Sequence, residues 1–336
     1  MKKFIIIHTA FIGDIVLSTP VIEKIKRNSP ESEIYYLTTP QGAAVLKNNP
    51  DIKEILIYDK KNRDKGFKGF IKIVNKIREL KIDEAIIPHR YLRSSAIAFL
   101  AGIKNRTGYD IASGSFLFTK KVEYKKSLHE VERILSLAEG ENPEESNIKL
   151  YPSKEEMEKV ETLWKTGGLT GKKVVVIAPG SKWFTKMWPT EYFNELLKKL
   201  ALHEEIKVLV IGGKDEESLK IEKTTNVENI IGKSTLLELK AIFDKSDIVV
   251  TNDSSPIHIA SATKTFIIAI FGATVRAFGF YPWSKNSMVM EIDGLKCRPC
   301  GIHGGKSCPE GHFKCMREIK PETVYEEILK RLKIKG

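Results

Sequence analysis

The stretch HTAFIGDIVLSTP, residues 8–20, sets a carboxylate, Asp14, directly after a single glycine, Gly13. An apolar run, Phe4 to Ile7, precedes it, and an apolar-periodic segment around Val21, Ile22 and Ile25 follows. That order reads as strand, tight turn and helix, the way a nucleotide-binding α/β domain often begins. A phosphate at this turn would meet repulsion from Asp14 rather than a cradle. The carboxylate is therefore either an ordinary helix cap or a group with chemistry of its own.

Three patterns in the second half suit an anionic or sugar ligand. In VVVIAPGSKWFTKMWP (174–189), Gly180 and Ser181 fall at the end of a strand-like run and Lys186 follows on the same loop. A glycine permits close backbone approach, a hydroxyl can bond a phosphate oxygen, and a lysine brings a mobile positive charge. Lys186 as one more surface lysine is the alternative. In VLVIGGKDEES (208–218), Asp215 follows two glycines, where it could hold a ribose diol or cap a helix. In IVVTNDSSPIHIASAT (248–263), a buried strand runs into Asn252, Asp253, Ser254 and Ser255 before Pro256 opens a helix. Unpaired amides there suit a diphosphate and Asp253 suits sugar hydroxyls, although all three residue types are also good caps. His258, one turn on, reads as structural. Four cysteines, Cys297, Cys300, Cys308 and Cys315, cluster with His303 and His312. They fit a structural zinc site or simply reduced thiols; the six residues between Cys308 and Cys315 are wide for a zinc ribbon.

The elements that position these residues alternate. Strands fit at Lys3–His8, Glu33–Leu37, Glu54–Tyr58 and Glu84–Pro88, then at Lys173–Ala178, Lys207–Ile211, Ile248–Thr251 and Thr265–Phe271. Helices fit at Pro20–Arg27, Phe67–Leu80, Ser94–Ala101 and Ser127–Ala138. In the second half they fit at Glu191–Leu202, Glu216–Lys223, Leu236–Asp244, Pro256–Ala262 and Pro321–Lys335. Such alternation implies parallel sheets with right-handed crossovers. The polar, proline-containing GENPEESNIKLYPSKEE and the helix-like segment after it, ending at KTGGLTGKK, place a domain boundary near residues 150–172, so the expectation is an α/β chain of two doubly wound domains facing a central cleft.

The 336 residues suit two domains, and no apolar run approaches the ~20 residues of a membrane span. MKKFIIIHTAF reads as a first strand rather than a secretory signal, which makes a cytoplasmic location the expectation. The net charge of +12 points to a solvated lysine-rich surface or to an anionic partner. No nucleic-acid-binding signature accompanies it. Neither half shows G-x-G-x-x-G after a strand, which argues against a dinucleotide-dependent oxidoreductase.

Taken together, GDIVLSTP (13–20), RSSAIAFLAGIKNRTGYD (93–110), HEVERIL (129–135), APGSKWFTKMWP (178–189), TNDSSPIHIASA (251–262) and FGAT (271–274) resemble glycosyltransferase family 9, the bacterial heptosyltransferases of lipopolysaccharide core synthesis. The cysteine segment ending in CM is similar to the heptosyltransferase II branch. Where the family usually has glycine, this chain has Ser255. The resemblance implies a GT-B architecture. An acceptor domain would span 1–155 and a nucleotide-sugar domain 172–320, with a C-terminal helix, 321–336, packing back on the first domain. It further implies inverting, metal-independent transfer from ADP-heptose, without a cofactor, to an anionic lipopolysaccharide core acceptor, and peripheral contact with the inner face of the inner membrane. Another nucleotide-sugar donor is the alternative. By the same resemblance Asp14 is the general base. Ser181, Lys186, Asp215, Asp253, Ser254 and Ser255 hold the donor, and Gly13, His89 and Arg93 lie on the acceptor side. A basic run, Lys60, Lys61, Arg63, Lys65 and Lys68, interrupted by Phe67, would meet the anionic surface.

Overall fold

The structure, a computed structural model, describes residues 1–143 and 145–334. The chain divides into two compact units, Met1–Tyr151 and Pro152–Gly336. The sequence boundary falls inside the expected region, but the helix Lys154–Thr166 belongs to the second unit, where it packs on Leu236–Lys245.

In the first unit, β1 (Lys3–Ile7), β2 (Glu33–Thr38), β3 (Glu54–Ile57), β4 (Glu84–Ile87), β5 (Asn105–Tyr109) and β6 (Lys120–Val122) form one sheet in the order β3-β2-β1-β4-β5-β6. The second unit repeats that order. It uses β7 (Lys173–Ala178), β8 (Ile206–Val210), β9 (Val227–Asn229), β10 (Ile248–Asn252), β11 (Phe266–Phe271) and β12 (Ser287–Glu291), arranged β12-β11-β10-β7-β8-β9. Every pairing is parallel. Parallel strands covered on both faces read as continuous apolar runs, which is why Phe4–Ile7 and Val174–Ala178 are buried throughout. In each sheet the chain reverses direction of growth between its first and fourth strands, β1/β4 and β7/β10. The carboxyl ends of those four strands are the natural ligand edge of a doubly wound sheet.

Four strands escape the sequence pattern. β5, β6, β9 and β12 are short or carry lysine, asparagine, glutamate and serine. Three of them end their sheets, where polar side chains face water on the open side. One expected helix is absent: residues 216–223 begin with a single 3-10 turn, Lys214–Glu216, and continue irregularly. The Asn194 carboxamide explains this. Its Nδ2 donates to the Lys220 carbonyl at 2.9 Å and its Oδ1 accepts from the Glu222 amide at 3.0 Å, which occupies groups a helix would need.

The C-terminal helix spans Pro321–Leu332; Lys335, which the sequence reading included, lies outside the described residues. The expectation packed it on the first domain; within the second unit its apolar face is part of the core. Val324, Ile328, Leu329 and Leu332 are part of the second unit's core, against the helix Thr190–Leu200 and β7, β8 and β11. His203 Nε2 meets the Tyr325 hydroxyl at 2.7 Å, and Lys199 pairs with Glu322, so polar contacts flank the seam.

All four tryptophans, Trp164, Trp183, Trp188 and Trp283, lie in the second unit. Replacing the fully buried Ile328 by alanine is expected to lower that unit's stability by about 2–5 kcal/mol. Tryptophan fluorescence followed through a urea titration reads this selectively, and an unchanged midpoint would remove the helix from the core.

Candidate active site

At the first sheet's switch point, β1 leads through His8–Phe11 into the helix Ile12–Leu17. Gly13 is helical and has no positive φ, so what it offers is the lack of a side chain rather than an unusual backbone. Asp14 is half-buried in the first turn. Its Oδ2 accepts the Phe11 amide at 3.1 Å, so the carboxylate does cap its own helix. Its position at the carboxyl edge of the sheet sets it apart from a surface cap.

β4 delivers His89 to the same edge. His89 is buried; its Nδ1 lies 2.7 Å from the Ser94 hydroxyl and 3.3 Å from that of Thr9. Burial, with the nearby Lys60 and Arg90 charges, lowers its pKa to about 3, so it is neutral at physiological pH. His8 beside it is lowered well below the ordinary range by burial and by His89. Neither imidazole is tuned as an acid or base near neutrality. Lys60 donates to the Thr9 carbonyl at 3.0 Å, and burial, then Arg93 and Lys61, lower its pKa. Arg93 is exposed at the start of the helix Leu92–Leu100. Lys60, Arg90 and Arg93 thus make a cationic rim near Asp14's edge of the sheet.

Behind Asp14 lies a cluster that spacing alone does not reveal. The motif HEVERIL folds as the helix Glu130–Leu135, capped by His129, whose Nδ1 accepts the Val131 amide at 3.1 Å. Glu130 and Arg133 pair at 2.7 Å with side chains 9% and 2% exposed. Arg133 also donates to the Tyr124 hydroxyl at 2.6 Å and to the Leu128 carbonyl at 2.9 and 2.6 Å. Burial raises the Glu130 pKa to about 7; Arg133 pulls it down and Asp14 pushes it up.

At the second switch point, Lys186 and Asp253 form an ion pair at 2.6 Å, with side chains 14% and 7% exposed. Thr274, in FGAT after β11, donates to Asp253 at 2.5 Å. Asp253 therefore anchors Lys186, with Thr274 on the same carboxylate oxygen. Ser254 and Ser255 begin the short helix Ser255–Ala260, and half-buried Ser181 lies on the loop after β7. That loop is held by Asn252, fully buried at the end of β10. Asn252 accepts the Trp188 amide at 2.9 Å and donates to the Pro179 and Gly180 carbonyls at 2.8 and 3.3 Å. A polar residue ending an apolar strand is the signal that could have found it.

After β8, the structure turns Glu216 inward and leaves Asp215 exposed. Glu216 accepts the Gly213 amide at 2.9 Å. It packs so close to Gly180 that a Cβ there would lie 1.9 Å from its carboxyl carbon. Burial raises its pKa, with the Gly213 bond opposing. The acid beside the Gly180–Ser181 loop is thus Glu216, one residue from the expected one.

The four cysteines lie near one another: Cys297 and Cys308 act on the Cys300 thiol, and all three act on Cys315. Among the described residues no group of three or more histidine, cysteine, aspartate or glutamate side chains forms a metal-holding set. Cys315 is buried in the second unit's core beside Phe313 and Met316, Cys308 packs at its margin, and Cys297 and Cys300 are half-buried. Burial raises Cys300 and pushes Cys315 up to about 11, so both are thiols at neutral pH. Among the described residues no helix is long and apolar enough to cross a membrane.

The chain is similar to lipooligosaccharide heptosyltransferase 2 of Campylobacter jejuni, with 28% identity over 340 residues, 98% of this chain and 99% of the relative. Its fold matches the crystal structure of a family 9 glycosyl transferase from Veillonella parvula, TM-score 0.84 at 22% identity, over 98% and 97% of the two chains. It also matches ADP-heptose lipopolysaccharide heptosyltransferase II of Escherichia coli, TM-score 0.78 at 22% identity, over 99% and 98%. Both units are Rossmann-like, and the fold is of the GT-B class. The model of glycosyltransferase family 9 (heptosyltransferase) matches residues 70–311, and the chain belongs to that family.

Proposed function

We propose that this glycosyltransferase moves a heptosyl residue from ADP-heptose to the inner-core oligosaccharide of lipopolysaccharide, with inversion and without a catalytic metal. The observation that carries the reading is the pair of switch points. One presents a carboxylate, Asp14, beside a cationic rim; the other presents Lys186 locked on Asp253. Similarity to heptosyltransferases that are named for lipooligosaccharide and for ADP-heptose supports the donor and the acceptor.

In this mechanism the acceptor hydroxyl oxygen bonds to the anomeric carbon as the bond from that carbon to the diphosphate breaks. The electron pair leaves on ADP, and the hydroxyl proton passes to the Asp14 carboxylate. A carboxylate of reference pKa ~4 is ionised and ready, and it is sufficient because the proton moves late, once the oxygen has begun to bond. Lys186 stabilises the negative charge gathering on ADP, joined by Ser181 and by Ser254 and Ser255 at the head of their helix. The Asp253 carboxylate fixes where the ammonium points. Glu216, inward and beside Gly180, fits the ribose diol better than exposed Asp215.

The acceptor is anionic, and the run after β3 is suited to it. Lys61, Arg63, Lys65 and Lys68 are exposed, Arg63 partly neutralised by Asp64 at 3.0 Å, and Phe67 is 75% exposed among them. This surface would hold the enzyme at an anionic inner leaflet.

Asp14→Asn keeps an oxygen for the Phe11 amide and so separates capping from proton transfer. Turnover of ADP-heptose with a heptose-deficient acceptor, followed by mass spectrometry, is expected to fall at least ~100-fold while ADP binding persists. Full turnover in that variant would remove the mechanism. For the donor site, ADP at a hundred times its dissociation constant stabilises the wild type by about 2.7 kcal/mol in a thermal shift. Glu216→Ala is expected to lose most of that shift and Asp215→Ala to keep it; the reverse would restore Asp215 as the ribose acid. Replacing Lys61, Lys65 and Lys68 by glutamate should abolish co-sedimentation with anionic vesicles, and unchanged sedimentation would end the membrane reading.

A further inference from the structure

The site above gives no task to the buried Glu130–Arg133 ion pair of the first unit. Glu130 opens the helix Glu130–Leu135, which packs on Ile12–Leu17, the helix that carries Asp14. Ile15, Val16 and Leu17 on one side and Val131, Ile134 and Leu135 on the other are all buried, so the two helices are fixed relative to each other. Lys24 donates to the Leu135 carbonyl at 3.0 Å and ties down the far end.

Arg133 is committed on every side. It bonds Glu130, the Tyr124 hydroxyl and the Leu128 carbonyl, and its guanidinium lies 4.9 Å from the Tyr124 ring centre. Arg90, from the segment after β4, covers the same ring at 4.7 Å. Tyr109 of β5 meets Tyr124 edge-on at 5.0 Å. A buried ion pair is an inefficient way to stabilise a fold, since apolar residues of similar volume often do as well. Its rigid bonding and its place behind Asp14 suggest a different use.

We propose that Glu130 is a positioning residue for Asp14: held by Arg133 at the head of a helix packed on the Asp14 helix, it supplies the negative charge that keeps Asp14 a ready proton acceptor. The inference rests on the reading of Asp14 as the base. A second carboxylate nearby disfavours the ionised form of the first and so makes it more basic, while arginines nearby do the opposite. The groups that face Glu130 are Arg133 on its own helix, Asp14 on Ile12–Leu17, Arg90 after β4, Tyr109 on β5 and Tyr124 after β6. With Glu130 ionised, its charge makes Asp14 more basic; with Glu130 protonated, that contribution is lost.

The sign follows from the raised pKa. Glu130 gains its proton as pH falls through about 7, far above the usual carboxylate range, so the helpful charge is present above that pH and lost below it. Transfer is therefore expected to slow as pH drops through about 7. This is too high for Asp14 alone, whose residue type titrates near ~4.

The test is the pH dependence of kcat in the full-length enzyme with ADP-heptose and acceptor, for the wild type, Glu130→Gln and Asp14→Asn. Glu130→Gln keeps an oxygen for Arg133 but no charge. It is expected to be slower by about tenfold above neutrality and to lose the acid limb, with the KM for acceptor and the ADP thermal shift unchanged. Glu130→Asp should retain the limb. A Glu130→Gln enzyme with the wild-type profile overturns the proposal while an inactive Asp14→Asn leaves the mechanism standing. An active Asp14→Asn overturns the mechanism itself, and the proposal with it. If Glu130→Gln does not fold, the wild type and Glu130→Asp decide: a limb near 7 in both supports the proposal, and a flat wild-type profile overturns it.

Discussion

The second unit's site depends on one fully buried carboxamide. Asn252 ends β10 and bonds the amide of Trp188 and the carbonyls of Pro179 and Gly180, so both ends of the loop that carries Ser181 and Lys186 are tied to the central strand. An amide is suited to this because one side chain both donates and accepts. Removing it would leave three backbone groups buried without that partner. With the loop so held, Lys186 reaches Asp253, Thr274 reaches Asp253 from after β11, and Glu216 closes on Gly180 from after β8. Four strand ends are thereby joined through polar contacts above an apolar sheet.

The first unit solves a related problem with charge. Lys60, close to Arg93, lies at its central edge, and the Glu130–Arg133 ion pair is buried behind Asp14. Under the proposed mechanism a second acid there would make the Asp14 carboxylate more basic. The neutral histidines fit the same picture. His8 and His89, stripped of protons by burial, add no further positive charge to the edge, and His89 serves the backbone turn through Ser94 and Thr9.

Both units run the order that grows outward in both directions from a central strand, and in both the chemistry gathers at the reversal. There the strand ends part and leave room for a ligand, while the peripheral strands are short and polar. The cysteine segment, which follows β12, braces the Lys186 loop: the Gly305 amide donates to the Thr185 hydroxyl and the Gly305 carbonyl accepts the Thr185 amide. Its most buried member, Cys315, belongs to the second unit's core.

The sequence by itself determined the two α/β units, the boundary region and the central strands, because buried parallel strands are written as unbroken apolar runs. It also drew attention to Asp14, Lys186 and Asp253, which stand on the segments that follow such runs. Short edge strands were hidden, as their polar residues do not differ from those of loops. Tertiary structure alone decided that Glu216 rather than Asp215 turns inward, because neighbouring acids are chemically alike and only the close approach of Gly180 separates them. It decided that the last helix completes the second unit, since an amphipathic stripe does not name its partner. And it brought Glu130 and Arg133 of HEVERIL behind Asp14, more than a hundred residues away in sequence, through the packing of two short helices that no local pattern encodes.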